Sequence, residues 1–186
     1  MARNTAEGTE ATRVALLDAG RSLFVERGYA DTATPEIVAR AAVTRGALYH
    51  HFSDKRALFN AVVGREALAV AKDIEARSAD AVSPRDALLQ GASAYFDAMA
   101  VPGRTKLLLR EAPALLGDDP SESTLKSGLS DLLLKSPLLP LLDPLTEMLS
   151  AAFDRAAIAI DAGGDRKTYE AAIAALLDGL ADPLGR

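Results

Sequence analysis

The spacing of helix start and stop signals near the N-terminus constrains the fold more than any other feature. Gly28 follows a long segment of helical periodicity, at a position where a helix is expected to stop. Thr34 and Pro35 then open a second helix, with the acid Glu36 near its positive dipole end. That helix must be short, because Thr44 opens a third. Two helices joined by about three residues predict a helix-turn-helix.

Helical periodicity continues along the rest of the chain, so we expect an all-α fold. In the first helix, apolar or small residues recur at the spacing of one helical face: Leu16, Leu17, Gly20, Leu23 and Phe24. No strand pattern, long linker or internal repeat is evident. Further helices are expected over about 53–79, 84–100, 104–116, with Pro113 ending or kinking it, 121–135, 143–162 and 165–180.

The third helix has an unusual polar face. At 100° per residue, Arg45, Gly46, Tyr49 and His50 fall on one arc, which contains no aliphatic side chain. Packing does not explain such an arc, although an ordinary solvated face remains the alternative. The opposite arc is a packing face on which His51 is the odd member, expected to be half-buried. We expect Thr44 to cap this helix, and Ser53 and Thr34 to cap the helices that they precede or open.

The charge distribution permits nucleic-acid binding despite a net charge of −5. Residues 1–60 contain eight Lys or Arg and seven Asp or Glu, a balance of +1, whereas the remainder has thirteen and nineteen, a balance of −6. The absence of Cys excludes disulfides and thiolate metal sites. Without a signal-peptide pattern or a membrane-spanning run, we expect a cytoplasmic protein with no metal or cofactor.

The stretch GYADTATPEIVARAAVTRGALYHHFSDKRALF, residues 28–59, resembles the DNA-binding domain of the TetR family of bacterial repressors. The resemblance covers about residues 10–60. One departure is Ala42, where the family usually has Gly, so the turn either needs no positive φ or tolerates its cost. The matching positions are Gly28, Tyr29, Thr32, Ile37, Ala41, Val43, Gly46, Leu48, Tyr49, His51, Phe52, Lys55 and Leu58.

This resemblance implies that the polar arc of the third helix enters the major groove of DNA. Arg45 would offer a bidentate fork to guanine, and Gly46 would let the backbone approach base edges. Tyr49 and Lys55 would donate to phosphates, with the start of the fourth helix adding its dipole. The implied DNA-binding residues are Thr32, Thr34, Thr44, Arg45, Gly46, Tyr49, His50 and Lys55, of which the three Thr residues position the phosphate backbone and His50 is a rim or base contact.

The resemblance also implies a division into a helix-turn-helix domain, residues 1–53, and a helical effector-binding and dimerisation domain, residues 54–186. We expect a largely apolar small ligand inside the second domain. The candidate pocket residues are Tyr95, Phe96, Met99, Leu108, Met148 and Phe153, for each of which ordinary core packing is the alternative.

The last two long helices, about 144–160 and 167–180, carry many Ala residues and more apolar surface than one neighbour covers. They predict a two-fold homodimer interface built as a four-helix bundle. The expected interface residues are Leu149, Phe153, Ile173, Leu177 and Leu180.

Three functions therefore follow from the sequence. The first is a homodimeric repressor that binds operator DNA and is released by a small ligand. The second keeps DNA binding without a small-molecule effector. The third is a helical enzyme or interaction module with a vestigial helix-turn-helix, but the chain has no Gly-rich phosphate loop, nucleophile elbow or paired-carboxylate motif.

Overall fold

A computed structural model describes residues 2–116 and 122–181, with side chains described for 8–115 and 124–181. Within these ranges the chain is helical and forms no strand, which confirms the all-α prediction. The helices are α1 (Ala2–Arg27), α2 (Thr34–Arg40), α3 (Arg45–His51), α4 (Lys55–Ser78), α5 (Pro84–Met99), α6 (Ala112–Leu116), α7 (Glu122–Leu133), α8 (Leu142–Asp161) and α9 (Arg166–Ala181). A π-helical turn, Lys106–Glu111, precedes α6, and a 3₁₀ turn, Leu139–Leu141, precedes α8.

The chain divides into two compact units whose boundary differs from the expected one. Unit 1 comprises residues 1–66 and 106–117, and unit 2 comprises 67–105 and 118–186. The expected division at residues 53 and 54 is displaced because Leu58, Phe59 and Val62 of α4 are fully buried in the core of unit 1. The N-terminal unit therefore includes the first half of α4 and a segment from the middle of the chain.

The core of unit 1 holds α1, α2, α3 and the first turns of α4 together. Leu23, Ile37 and Leu48 are almost completely buried and come from the first three helices. Phe24 and Phe59 contact each other edge to face, with ring centroids 5.1 Å apart. This packing fixes which side of α3 is buried and therefore which side faces solvent.

Of the three predicted N-terminal caps, one is confirmed and two are wrong. The Thr44 hydroxyl caps α3 as expected, accepting the Ala47 N–H at 3.1 Å. Helix α2 begins after Ala33 instead, whose N–H donates to the Glu36 carboxylate at 3.2 Å. Asp54 rather than Ser53 caps α4, because its Oδ1 accepts the Ala57 N–H at 2.7 Å.

The segment predicted to be interrupted at Pro113 continues through it. Residues 106–111 adopt a π-helical turn, and α6 runs from Ala112 to Leu116 with Pro113 at its second position. Proline lacks an N–H and is tolerated in the first turn of a helix, where no intrahelical partner is required. The change from π to α geometry thus gives Pro113 a permitted position.

Unit 2 packs α5, α7, α8, α9 and the later part of α4 around an aromatic and aliphatic core. The rings of Tyr95 and Phe153 lie 5.9 Å apart, and Phe96 contacts both. Helix α8 ends shortly before Gly163, where φ is +97°, a value that favours glycine. None of the helices described combines the length and apolar character needed to cross a bilayer.

Candidate nucleic-acid interface and ligand cavity

The polar arc of α3 is exposed in unit 1. Arg45, Gly46, Tyr49 and His50 all face solvent, whereas Leu48 on the opposite side is fully buried. Tyr49 is 44% exposed, a high value for a large aromatic side chain on a helix. His51 is half-buried, with its ring 6.2 Å from that of Phe52. The seven-residue helix is anchored on one face and presents the other to solvent.

Arg45 and Tyr49 form a preorganised pair on this arc. The Arg45 guanidinium carbon lies 5.5 Å from the Tyr49 ring centroid, a cation–π arrangement at i, i+4 spacing. Elsewhere in unit 1, the exposed guanidinium groups of Arg27 and Arg40 are engaged by Glu36 and Glu26. No carboxylate in the described part of the chain pairs with Arg45, so its five donors remain directed at solvent.

Gly46 leaves a bare patch of helix between these side chains. A Cβ built on Gly46 would meet only the Thr44 hydroxyl oxygen, at 3.8 Å. Protein packing therefore does not require glycine at this position. A partner can approach the α3 backbone more closely here than at any residue with a side chain, which is the geometry that a base edge in the major groove needs.

The turn between α2 and α3 is strained at the residue that departs from the family pattern. Ala42 has φ of +54°, the only positive φ of a non-Gly residue in the described backbone. An L-residue in this region costs about 1–2 kcal/mol relative to right-handed geometry. Of the two alternatives that the sequence left open, the structure supports a turn that needs positive φ and tolerates its cost.

Thr32 has a structural role that removes it from the expected DNA contacts. Its side chain is only 1% exposed, and its hydroxyl donates to the Gly28 carbonyl at 2.7 Å, with the Leu23 carbonyl also in reach at 3.2 Å. The hydroxyl thus holds the end of α1 to the loop that follows. Thr34 is half-buried in the first turn of α2, and Thr44 is exposed at the start of α3.

Lys55 is also committed within unit 1. Its ammonium donates to the carbonyls of Tyr29 at 2.8 Å and Thr32 at 2.9 Å and lies 4.3 Å from the Tyr29 ring centroid. These contacts use the charge to bind the loop between α1 and α2. We propose that they take the place of the predicted phosphate contact. The Asp54 carboxylate moreover occupies the start of α4, where an incoming phosphate was expected to meet the helix dipole.

The ion pairs beside the helix-turn-helix are exposed. The Ala33 N–H and then the Arg27 guanidinium hold the pKa of the Glu36 carboxyl below its usual value. The Arg40 guanidinium does the same for the pKa of Glu26. These pairs link α1 to α2 and leave the polar arc of α3 outside the network.

Residues 106–116 supply contacts to unit 1 that the sequence did not indicate. The Glu111 carboxylate accepts the Tyr29 N–H at 2.7 Å, and the Lys106 ammonium donates to the Val25 carbonyl at 2.8 Å. From α4, Arg56 donates to the Leu115 carbonyl at 3.0 Å. No local sequence pattern distinguishes a charge that binds distant backbone, as Lys106 and Glu111 do, from one that faces water.

Unit 2 contains a cavity of about 250 Å³ lined by residues of α4, α5, α7 and α8. Tyr95 and Phe153, two of the predicted pocket residues, line it. Phe96 and Met99 are buried in the core beside it, 2% and 4% exposed, and do not reach the cavity wall. Two other predicted pocket residues lie away from the cavity, because Leu108 belongs to unit 1 and Met148 is 69% exposed on α8.

The expected dimer interface used the faces of α8 and α9 that the chain itself buries. Leu149, Phe153, Ile173 and Leu177 are all under 8% exposed within unit 2, and Leu180 is half-buried. The four buried side chains pack against neighbouring helices of the same chain and are not available to a second copy, whereas Leu180 stays a predicted interface residue. The exposed faces of these two helices instead carry small and apolar residues: Met148, Ala151, Ala171, Ala172, Ala175 and Leu176.

Comparison with known proteins gives sequence matches that cover the N-terminal part of the chain and, in one case, more than half of it. The family described as "Bacterial regulatory proteins, tetR family" matches residues 16–62. The HTH-type transcriptional repressor BepR of Brucella suis is 46% identical over 65 residues, which cover 35% of this chain and 31% of that protein. The HTH-type transcriptional regulator TtgR of Pseudomonas putida is 33% identical over 109 residues, 57% of this chain and 51% of its own length. The chain thus spans about a third to a half of these relatives.

A solved structure extends the similarity over nearly the whole chain. The crystal structure of a TetR-family transcriptional regulator from Pectobacterium atrosepticum is 31% identical, covers 96% of both chains and superposes with a TM-score of 0.67. The sequence match in the helix-turn-helix and this full-length likeness agree. The chain belongs to the TetR family of transcriptional regulators, which are DNA-binding proteins rather than enzymes.

Proposed function

We propose that this regulator is a homodimeric repressor that binds operator DNA through α3 and is released by a small ligand bound in unit 2. The observation that carries the DNA-binding part is the exposed arc of α3, where a cation without a carboxylate partner flanks a bare glycine. A repressor is named among the relatives that share this helix-turn-helix. In this role Arg45 reads a base and Tyr49 supports it and donates to a phosphate.

Two copies are needed because α3 has only seven residues and reaches few base pairs. A two-fold dimer places two such helices in successive major grooves, about 34 Å apart. We assign the interface to the exposed faces of α8 and α9, where Met148 and Leu176 stand beside small Ala residues. Small side chains permit close approach of helices, and the two large apolar side chains supply burial.

Ligand release requires a connection between the cavity and the DNA-binding unit. The chain crosses between the two units within α4 and at both ends of residues 106–117. Residues of α4 line the cavity, and its first turns belong to the core of unit 1. A ligand that binds one arrangement of these connecting segments more tightly than another shifts the protein toward that arrangement, and the spacing of the two α3 helices of the dimer changes with it. The shift of this equilibrium is limited by the difference between the ligand's affinities for the two arrangements.

Selection of bound fragments from genomic DNA with the purified protein tests the first part and yields the operator. On that operator, Arg45→Ala should cost about 1–3 kcal/mol while leaving binding to random DNA nearly unchanged. Lys72→Ala is the matched control, because Lys72 is an exposed cation on α4 in unit 2. Equal losses for Arg45→Ala on operator and random DNA would show that Arg45 contributes only charge.

A thermal-shift screen followed by operator titration tests release. A ligand present at 100 times its dissociation constant adds about 2.7 kcal/mol of stability. The proposal expects such a ligand to weaken operator binding. Stabilising ligands that leave operator affinity unchanged would instead favour a regulator with no small-molecule effector.

A further inference from the structure

Two charged side chains from a distant segment, Lys106 and Glu111, hold the C-terminal end of α1. We propose that they are positioning residues for DNA binding, because they fix the loop between α1 and α2 and through it the placement of α3. Both residues lie outside the helix-turn-helix, in the π-helical turn before α6. The inference deepens the proposed function and rests on it for the statement that α3 binds operator DNA.

The end of α1 has two backbone groups that would pair if the helix continued. In an α-helix the Tyr29 N–H would donate to the Val25 carbonyl, four residues earlier. Gly28 turns the chain away from helical geometry with a φ of +87°. The Lys106 ammonium donates to the Val25 carbonyl at 2.8 Å, and the Glu111 carboxylate accepts the Tyr29 N–H at 2.7 Å. Each half of the absent backbone hydrogen bond therefore has a charged partner of the matching kind.

The π-helical turn explains how both side chains reach the same place. Residues five apart in an α-helix point about 140° away from each other. In a π-helix the backbone hydrogen bond spans five residues, so that residues five apart stand one turn apart on the same side. The Lys106 ammonium lies 3.8 Å from Glu111 Oε1, as this geometry requires. The rare turn thus presents a cation and an anion together to the end of α1.

Glu111 packs closely against the turn that it holds. Its side chain is 18% exposed, and a Cβ built on Gly28 would lie 3.1 Å from its Oε1. A mostly buried N–H without an acceptor is unfavourable. If Glu111 offered no acceptor, the Tyr29 N–H would find one in the Val25 carbonyl, because glycine at position 28 adopts right-handed helical geometry as readily as its present one. Helix α1 would then extend into the loop.

The loop between α1 and α2 connects this contact to the reading face. Lys55 binds the carbonyls of Tyr29 and Thr32, and the Thr32 hydroxyl donates to the Gly28 carbonyl at 2.7 Å. Helix α2 begins two residues after Thr32 and packs with α3 in one core. An extension of α1 through Tyr29 would break the Lys55 contact to Tyr29 and displace the start of α2. The position of α3 would change with it.

Two variants of Glu111 with the same charge isolate the acceptor. Glu111→Gln keeps an oxygen that can accept the Tyr29 N–H, whereas Glu111→Leu has none. Both remove one negative charge, which by itself favours DNA binding slightly. We expect Glu111→Leu to bind operator about tenfold more weakly in fluorescence anisotropy, a change typical for the loss of one buried hydrogen-bond partner. Affinity for random DNA should not fall, and Glu111→Gln should keep the wild-type preference for operator.

Amide hydrogen exchange of Tyr29, measured by NMR without DNA, checks the contact itself. We expect the Tyr29 N–H to exchange at a clearly different rate in Glu111→Leu and near the wild-type rate in Glu111→Gln. Lys106→Met supplies a second variant if circular dichroism shows that Glu111→Leu does not fold. It should lower the preference for operator over random DNA several-fold, whereas Lys72→Met, which removes an exposed cation from α4, should leave this preference unchanged.

The outcomes separate this inference from the proposed function. A wild-type protein without preference for any DNA sequence would contradict both. An operator preference that stays at the wild-type value in folded Glu111→Leu, or in Lys106→Met where Glu111→Leu does not fold, would overturn the positioning role and leave operator binding by α3 intact. Equal losses of preference in Glu111→Leu and Glu111→Gln would also overturn it, because charge rather than the acceptor would then be responsible.

Discussion

Removing the Lys55 ammonium should reduce the stability of unit 1 rather than the number of phosphate contacts. The variant Lys55→Met keeps most of the apolar stem and deletes the charge that binds the Tyr29 and Thr32 carbonyls at 2.8 and 2.9 Å. Hydrogen bonds to charged groups contribute about 1.5–3 kcal/mol each in favourable settings. Because Lys55 is only half-buried and water replaces part of the loss, we expect the free energy of unfolding to fall by about 2 kcal/mol in total.

Urea denaturation followed by far-UV circular dichroism measures this effect, at fixed protein concentration because the proposed dimerisation would couple to stability. With an m-value of about 2 kcal/mol/M, the midpoint should shift down by about 1 M. Lys72→Met on the same helix is the matched control and should shift it little, since Lys72 is exposed and makes no hydrogen bond or ion pair within the described residues.

The salt dependence of operator binding supplies the second measurement for Lys55. Each cation that neutralises a phosphate contributes about 0.9 to the slope of log affinity against log salt. We expect Lys55→Met, studied well below its unfolding midpoint, to keep the wild-type slope. A slope reduced by about 0.9, together with a stability equal to that of Lys72→Met, would refute the reasoning and restore Lys55 as a phosphate contact.

Three further substitutions have opposite or separable outcomes. Gly46→Ala should raise stability, measured by urea denaturation, by up to about 1 kcal/mol through helix propensity. It should weaken operator binding, measured by fluorescence anisotropy, by about 1–3 kcal/mol through the inserted methyl group. Unchanged operator affinity would contradict a close approach of DNA to the α3 backbone at this position. Ala42→Gly should stabilise the fold by about 0.5–1 kcal/mol by relieving the strain of a positive φ, whereas Ala39→Gly, in a right-handed helix, should destabilise it by a similar amount. If urea denaturation shows that both variants lose the same stability, Ala42 is not strained. Leu176→Glu should give a folded monomer by analytical ultracentrifugation, while Leu177→Glu should unfold unit 2; a dimeric Leu176→Glu would place the interface elsewhere.

The local structure of the helix-turn-helix could be read from the sequence because its signals are local. Caps, Gly stops and helical periodicity act over a few residues, so the bounds of α2 and α3 were predicted within one or two positions. The polar arc of α3 was predicted as exposed for the same reason. An arc that carries Arg45 and no aliphatic residue has no apolar side chain to bury in a core, whichever elements form that core.

The roles of Thr32, Lys55 and Glu111 could not be predicted, since each depends on a partner that only the folded chain brings close. Lys55 meets carbonyls more than twenty residues away, and Glu111 meets an N–H that is 82 residues away. A polar side chain has the same sequence signature whether it binds such a group or faces water or DNA.

The sequence by itself determined which segments are helices, where α3 starts and which of its side chains stay out of the core. Only the tertiary structure decided that residues 106–116 join the N-terminal unit, and which faces of α8 and α9 are buried. The physical reason is that an amphipathic pattern shows only that a helix has an apolar face that must be buried. It contains no information on whether Leu177 or Leu176 is covered by the same chain, because hydrophobic burial is non-directional and any complementary surface satisfies it.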